Sequence, residues 1–275
     1  MILGMDHLAI TGLDLEISIS ALEEVGFEVQ FIEADLANAE EKRPLLSKYL
    51  VTHSVALLRS KAGGMALELV CHGEVGRARA AYQPLIVGMR PELLTESPVA
   101  AHARDWRSVW RNALNVDATC GLWSAANAEV WGGAAGAELT IPAILLASPD
   151  LERERKFWHE GLGFIEQNRG RTEEGISWLR MSYAAPVPAW QCELILVESP
   201  GISTDCRLDD AGFSCLALTC SSLSSDLQRG LAHGGRDASG CFSALVNGRR
   251  LDLVLLRSPG GAPIELVQTA RSVRS

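Results

Sequence analysis

Residues 57–70 read Leu-Leu-Arg-Ser-Lys-Ala-Gly-Gly-Met-Ala-Leu-Glu-Leu-Val, and residues 255–267 read Leu-Leu-Arg-Ser-Pro-Gly-Gly-Ala-Pro-Ile-Glu-Leu-Val. One single-residue gap aligns them, and each places one glutamate, Glu68 or Glu265, in the strand after a glycine-containing turn. Apolar runs joined by such a turn predict a β-hairpin. Two hairpins this alike, almost 200 residues apart, indicate that one structural unit has been duplicated.

The chain ahead of the first hairpin has its own pattern. Residues 7–11 are apolar and predict a strand, and Asp14 follows as a predicted helix N-cap. A helix is predicted over residues 15–25, with Gly26 at its end. The same order is predicted twice more: a strand at residues 144–147 with Asp150 as the cap, and a strand at residues 215–219 with Ser221 or Ser222 as the cap.

Three units of strand, helix and further strands are therefore predicted, at residues 5–72, 140–199 and 212–269. The stretch at residues 83–138 fits the pattern less well, and we interpret it as a degenerate copy. Pairing the units in sequence predicts two domains, one at residues 1–138 and one at residues 139–275.

Composition excludes several classes of protein. Of 275 residues, 47% are hydrophobic and 21% are charged, which is typical of a globular protein and excludes wholesale disorder. The net charge of −9 makes binding to a phosphate backbone improbable, so no nucleic-acid partner is expected. No apolar run approaches the roughly 20 residues that span a bilayer, and no signal peptide is recognisable, so no membrane partner is expected either. Seven cysteines without a C-x-x-C pair argue against a disulfide framework or a zinc ribbon and favour a cytoplasmic location.

The repeated unit resembles the vicinal oxygen chelate superfamily, which includes glyoxalases, bleomycin resistance proteins and extradiol dioxygenases. Asp6-His7-Leu8-Ala9-Ile10 on the first strand, Gly26-Phe27 after the helix and the two hairpins carry the resemblance. It implies an α+β fold, in which tandem βαβββ units form cup-shaped, partly closed mixed sheets with helices outside.

The resemblance also implies where metal ligands would lie, because the family places them on the first and last strands of each unit. In the first unit these positions are His7 and Glu68. In the last unit they are Cys215 (or Ser214) and Glu265. The third unit offers Glu193 but only Ala143 (or Pro142) on its first strand, so it has no ligand there.

Two pairings of the units are open at this stage. If the first and last units share a cup, His7, Glu68 and Glu265 form a site for a divalent metal such as Fe, Zn, Ni or Mn. If the units pair in sequence, one cup holds His7, Glu68 and Gln83, while the other holds Glu193, Cys215 and Glu265. In either case a lone histidine on an apolar strand is also compatible with a hydrogen-bonded core residue.

The resemblance favours a metal-dependent enzyme, namely an isomerase, a lyase or a ring-cleaving dioxygenase, that acts on a small oxygen-rich or aromatic metabolite. The metal would act as a Lewis acid on two adjacent oxygens, and Glu68 and Glu265 are the predicted catalytic residues. Predicted substrate-binding residues are Trp123, Trp131 and His53, although tryptophans also fill cores and histidines at loop ends are commonly exposed.

Two alternatives remain open. The chain could be a metal-free binding protein that sequesters an aromatic natural product, as drug-resistance members of the superfamily do, or a metal-free enzyme that uses the same cavity. The expected partner is a small-molecule substrate or ligand, and a homodimer is possible.

Overall fold

The structure is a computed structural model that describes residues 1–12, 14–24, 26–61, 64–73, 81–88, 121–122, 139–172, 175–183, 192–199 and 205–269. Strands dominate these residues, and the few helices are short. No helix in the described ranges is long and apolar enough to cross a membrane. The predicted α+β class with cup-shaped mixed sheets is confirmed.

The first and last repeat units build one sheet of eight strands. Their bounds are β1 (Ile2–Gly12), β2 (Phe27–Ala37), β3 (Thr52–Ser60), β4 (Ala66–Cys71), β11 (Gly212–Cys220), β12 (Phe242–Val246), β13 (Arg249–Arg257) and β14 (Pro263–Thr269). The spatial order is β12-β13-β14-β11-β1-β4-β3-β2. Within each unit the first strand lies parallel to the last, and the two units join where β1 and β11 pair antiparallel. Of the two pairings open from the sequence, the first unit therefore pairs with the last.

A second sheet of six strands contains the third unit and part of the degenerate stretch. Its strands are β5 (Tyr82–Gly88), β6 (Gly121–Leu122), β7 (Leu139–Ser148), β8 (Ile165–Arg171), β9 (Ser177–Ser182) and β10 (Glu193–Glu198). The spatial order is β6-β5-β7-β10-β9-β8. Each sheet thus combines segments from both halves of the chain, and the division into domains at residue 138 stays a prediction.

Three α-helices lie where the caps predicted them: α1 (Leu15–Glu24), α2 (Leu151–Lys156) and α3 (Leu223–Ala232). Asp14 Oδ1 accepts a hydrogen bond from the Ile17 N–H at 3.0 Å, and Asp150 Oδ1 accepts one from the Arg153 N–H at 3.0 Å. Both aspartates therefore cap their helices as predicted.

The start of α3 differs from the prediction. Ser222 is the N-cap residue, but its side chain makes no cap hydrogen bond. Instead the Leu223 N–H donates to Oε1 of Gln268, 2.7 Å away on β14. The free N–H group at the helix start is thus satisfied by the neighbouring sheet rather than by the adjacent serine.

The predicted helix of the third unit ends irregularly. After α2 the chain continues as a π-helical turn, Phe157–Gly161, and the side chains of Phe157 and Trp158 are fully buried. Gly161 approaches the α3 backbone so closely that a Cβ on it would lie 3.3 Å from the Gly230 Cα. This contact brings the outer helices of the two sheets together.

The edge strands of the eight-stranded sheet approach each other and nearly close it. The β12–β13 hairpin turns at Asn247 and Gly248, which have φ values of 48° and 68° and so adopt the left-handed conformation of a tight hairpin turn. The Asn247 N–H donates to Oε2 of Glu33, 2.9 Å away on β2. The sheet therefore surrounds a hollow interior between strands of the first and last units.

Candidate functional site

The interior of the eight-stranded sheet holds a cavity of about 380 Å³. Side chains point into a strand-lined cavity at every second position, and His7, Glu68, Cys215 and Glu265 all line it. The two glutamates of the repeated hairpins thus face the cup interior rather than outer solvent. Their side chains are only 20% and 13% exposed.

A β-bulge in β1 places two consecutive residues on the same side of the strand. Met5 pairs with Leu218 and His7 pairs with Ala217, so Asp6 is an extra residue in the ladder. Asp6 and His7 both line the cavity, and Asp6 Oδ2 lies 3.0 Å from His7 Nδ1. Asp6 Oδ1 also lies 3.7 Å from the Arg59 guanidinium.

The other imidazole nitrogen of His7 faces the two glutamates. His7 Nε2 lies 3.3 Å from Oε2 of Glu68 and 3.9 Å from Oε2 of Glu265. The structure therefore brings together, from three different strands, the three residues that the sequence predicts as metal ligands. Glu68 and Glu265, the predicted catalytic residues, lie on either side of one imidazole.

Strand register shows which residue in each unit corresponds to His7. Glu68 lies beside Ala9, Glu265 beside Ala217, and Glu193 beside Ala143. Two positions before these alanines the first strands carry the residues His7, Cys215 and Ile141. Cys215, not Ser214, is thus the counterpart of His7.

The strand register also corrects which residue of the third unit corresponds to His7. Ala143 pairs directly with Glu193, so neither it nor Pro142 occupies the position of His7. That position belongs to Ile141, a fully buried hydrocarbon side chain that has no ligating atom. The six-stranded sheet therefore offers Glu193 alone at these positions, and Glu193 lies 3.6 Å from Arg180.

Burial and neighbouring charges shift the pKa values of His7, Glu68 and Glu265. Burial by itself would lower the pKa of His7, but the carboxylates of Glu68 and Asp6 raise it well above its usual value. Burial would raise the pKa of Glu68, yet the charge and hydrogen bond of His7 lower it. Burial raises the pKa of Glu265; the Lys42 charge opposes this rise, and the neighbouring Glu68 carboxylate adds to it. Glu265 is therefore the carboxyl group most easily protonated, as a general acid or base requires.

The donor set is compatible with a divalent metal. Ligand bonds of about 2.0–2.2 Å place neighbouring donor atoms about 3–3.4 Å apart, and the His7–Glu68 distance lies in this range. Asp6 on Nδ1 would fix the tautomer whose Nε2 lone pair binds a metal. Within the described part of the chain, no three His, Cys, Asp or Glu side chains form a complete metal cluster. Glu265 would have to approach Nε2 more closely to complete the set.

Cys215 lies in the cavity wall but differs chemically from a ligand thiolate. Burial, and next the charge of Glu265, raise its pKa well above the usual thiol value. The thiol is therefore protonated, as the buried-thiol interpretation of the sequence expects.

His53 and His72 are buried, which overturns the expectation that histidines at the ends of this hairpin are exposed. They are 7% and 5% exposed, and their rings stack 5.5 Å apart in the cavity wall. Burial, and next the Lys42 charge, lower the pKa of His53 to about 3 and that of His72 to about 4. Both imidazoles are thus uncharged at neutral pH. Local sequence does not reveal this burial.

The structure describes one of the three residues that the sequence predicts to bind substrate. His53 lines the cavity, whereas Trp123 and Trp131 lie outside the described residues, so their role stays a prediction. The phenyl rings in the cavity wall belong to Phe31 and Phe242.

Sequence and structure comparisons were made with known proteins. No family model and no curated protein matches the sequence. Among solved structures, glyoxalase I from Zea mays matches with a TM-score of 0.54 at 14% identity, over 96% of this chain and 92% of that one. A single-residue variant of the same maize enzyme matches with a TM-score of 0.56 at 13% identity, over 96% and 92%. The chain has the glyoxalase I fold. The resemblance inferred from the hairpins is thus confirmed for the fold, and the match covers nearly the whole of both chains.

Proposed function

We propose that this glyoxalase-like chain is a metal-dependent enzyme that acts on a small oxygen-rich or aromatic metabolite, as an isomerase, a lyase or a ring-cleaving dioxygenase. The observation that carries the proposal is the convergence of Glu68 and Glu265 on Nε2 of His7 inside the nearly closed cup. A divalent ion such as Fe, Zn, Ni or Mn would be held by these three residues, and its open positions would accept two substrate oxygens.

The residues of the chain have separate roles in this proposal. Asp6 holds the His7 ring in place through Nδ1, and Arg59 lies beside the same carboxylate. Glu265 is the candidate to take a proton from a substrate carbon or oxygen and to return it, because in the metal-free protein burial raises its pKa although the Lys42 charge opposes this rise. Apolar residues such as Leu255 and Val267 form part of the cavity wall.

The proposal also concerns the cellular compartment and the oligomeric state of the protein. The six described cysteines form no disulfide, which is compatible with the reducing cytoplasm. The proposed assembly is a homodimer.

Metal binding by chelator-treated protein tests the proposal. Addition of Fe, Zn, Ni or Mn salts should give about one bound ion per chain by titration calorimetry and elemental analysis. His7→Ala, Glu68→Gln and Glu265→Gln should each weaken binding by about tenfold or more. Glu193→Gln is the matched control, because Glu193 occupies the equivalent strand position in the third unit without a first-strand ligand. Failure of the wild-type protein to bind any of the four metals would contradict the proposal.

A metal-free binding protein is the second candidate, and two observations favour it. Cys215 stands at the fourth family ligand position as a protonated thiol, and His7 and Glu68 already form an ion pair with each other. In this case an aromatic ligand would bind equally well before and after chelator treatment, and His7→Ala would leave its affinity unchanged.

A further inference from the structure

Lys42 places a positive charge in the wall of the cup. It lies on the short 3₁₀ helix Glu40–Leu45, between β2 and β3, and lines the cavity. The side chain is half-buried, and Nζ lies 5.5 Å from the centroid of the Phe242 ring on the opposite edge strand. The ammonium group is thus held at the interior by a cation–π contact.

Three lysine or arginine side chains line the cavity, and they differ in their partners. The Arg59 guanidinium lies 3.7 Å from the Asp6 carboxylate. Arg249 is exposed, so water screens its charge. Lys42 is half-buried, and no carboxylate of the described residues lies in ion-pair contact with its ammonium group. Its neighbour Glu40 pairs with Arg43 instead, at 2.8 Å.

A half-buried charge without a counter-ion has lost part of its hydration and gained no ion pair in return. The nearby imidazoles of His53 and His72 cannot supply one, because an imidazole is either neutral or positively charged. An anionic group on a bound ligand would supply the missing partner. The Lys42 charge acts to lower the pKa of both Glu265 and Glu68, but neither carboxylate lies in ion-pair contact with the ammonium group, so a ligand carboxylate beside Lys42 would be its direct counter-ion.

The rest of the cavity wall indicates the chemical character of the ligand body. Leu253, Leu255 and Val267 form part of a buried apolar cluster and also line the cavity. Phe31 and Phe242 add aromatic surface. A cavity of about 380 Å³ is of the size that encloses a small organic molecule.

We infer that the cup binds a small organic carboxylate with an apolar or aromatic body, and that Lys42 receives the carboxylate group. This names the substrate class of the proposed function and rests on that function for the identity of the site. It makes Lys42 a specificity-determining residue, because a neutral analogue of the same shape would leave the ammonium group unpaired.

The test uses matched pairs of acids and amides on chelator-treated protein. 3-Phenylpropionate, 4-phenylbutyrate and 2-naphthylacetate are each compared with the corresponding primary amide by titration calorimetry. Metal is left out so that a carboxylate cannot gain affinity by binding an ion. At least one acid should bind about tenfold more tightly than its amide, as expected for a partly buried charge-assisted hydrogen bond.

Variants then test whether Lys42 causes the tighter binding of the acid. Lys42→Met should remove the preference for the acid, and Lys42→Arg should retain most of it. Arg249→Met should reduce the preference less than Lys42→Met, since Arg249 is exposed. Lys61→Met is the matched control, because Lys61 is exposed, lies outside the cavity wall and makes the same charge change. Thermal unfolding verifies that each variant is folded.

The outcomes separate this inference from the proposed function. If no acid binds more tightly than its amide, whether or not the pairs bind at all, the inference is overturned. It is also overturned if Lys42→Met keeps the preference. Metal binding is measured without these ligands, so a protein that binds metal but shows no charge preference refutes only the substrate class. A protein that prefers acids but binds no metal refutes only the metal-dependent function.

Discussion

Asp6 Oδ2 lies 3.0 Å from Nδ1 of His7, although consecutive residues of a strand ordinarily point to opposite faces. The β-bulge at Asp6 makes this contact possible, because it turns both side chains toward the cavity. Bulges commonly re-aim a side chain beside an active site. The pair gives His7 a fixed ring orientation with Nε2 directed at Glu68.

The first prediction concerns this orientation. Asp6→Asn keeps the size of the side chain but removes the charge that orients Nδ1, so metal affinity should fall about ten- to a hundredfold. Competition with a chromophoric chelator measures the affinity. Asp35→Asn is the control, since Asp35 is exposed on β2 and has a left-handed backbone that asparagine also tolerates. Equal affinity in wild type and Asp6→Asn would show that the contact has no positioning role.

The second prediction concerns the unused ligand position on β11. Cys215 is the counterpart of His7 by strand register and faces the same cavity. Cys215→His should raise metal affinity at least about tenfold, because it adds an imidazole donor to the set from the last unit. Cys215→Ala should change affinity less than twofold, since the protonated thiol is a poor ligand. A large loss in Cys215→Ala would instead identify the thiol as a ligand.

Much of the site could be predicted from sequence because the duplication preserves the positions of Glu68 and Glu265. Alternation along the hairpins is a local signal, and it correctly predicts strands with one carboxylate on the face opposite the leucines. The pairing of the first unit with the last is different. It depends on contacts between residues more than 200 positions apart, such as His7 with Ala217, and both pairings satisfy the local pattern equally well.

Other features escape the sequence because they depend on tertiary contacts. The bulge at Asp6 has no recognisable signal in the amino-acid sequence. Lys42 lies in the polar segment Glu40–Leu45, which looks like a solvated turn until its contact with Phe242 across the cup is known. His53 and His72 likewise look like loop-end residues, yet the folded chain buries both.

A third prediction addresses a buried carboxylate that joins the two sheets. Glu154 on α2 is fully buried and accepts hydrogen bonds from Ser258 Oγ at 2.7 Å, Trp158 Nε1 at 2.9 Å and the Gly260 N–H in the β13–β14 turn. Glu154→Ala would leave these buried donors unpaired, so unfolding free energy should fall by about 3 kcal/mol or more. Urea denaturation measures the change.

Glu154→Gln separates the hydrogen bonds from the charge. The amide oxygen can still accept from Ser258 or Gly260, so this variant should lose less stability than Glu154→Ala. Glu152→Ala is the control on the same helix, because Glu152 has an exposed side chain and should cost less than about 1 kcal/mol. Equal losses for Glu152→Ala and Glu154→Ala would refute the structural role of the buried carboxylate.

The last prediction concerns acid stability. Burial, and next the Lys42 charge, lower the pKa of His53 to about 3 and that of His72 to about 4 in the folded chain, against about 6.5 when unfolded. Between pH 6.5 and pH 4.5 the unfolded state therefore binds more protons, and stability falls as the pH falls. The loss should be on the order of 2–5 kcal/mol across this window. The pKa of His7 is raised, so its contribution is retained here and is lost only as the pH rises through its folded value. Urea titrations at pH 6.5 and pH 4.5 should show a clearly smaller difference in a His53→Gln/His72→Gln double variant. His233→Gln, at the half-buried end of α3, should behave like wild type. An unchanged pH dependence in the double variant would mean that other groups cause the acid sensitivity.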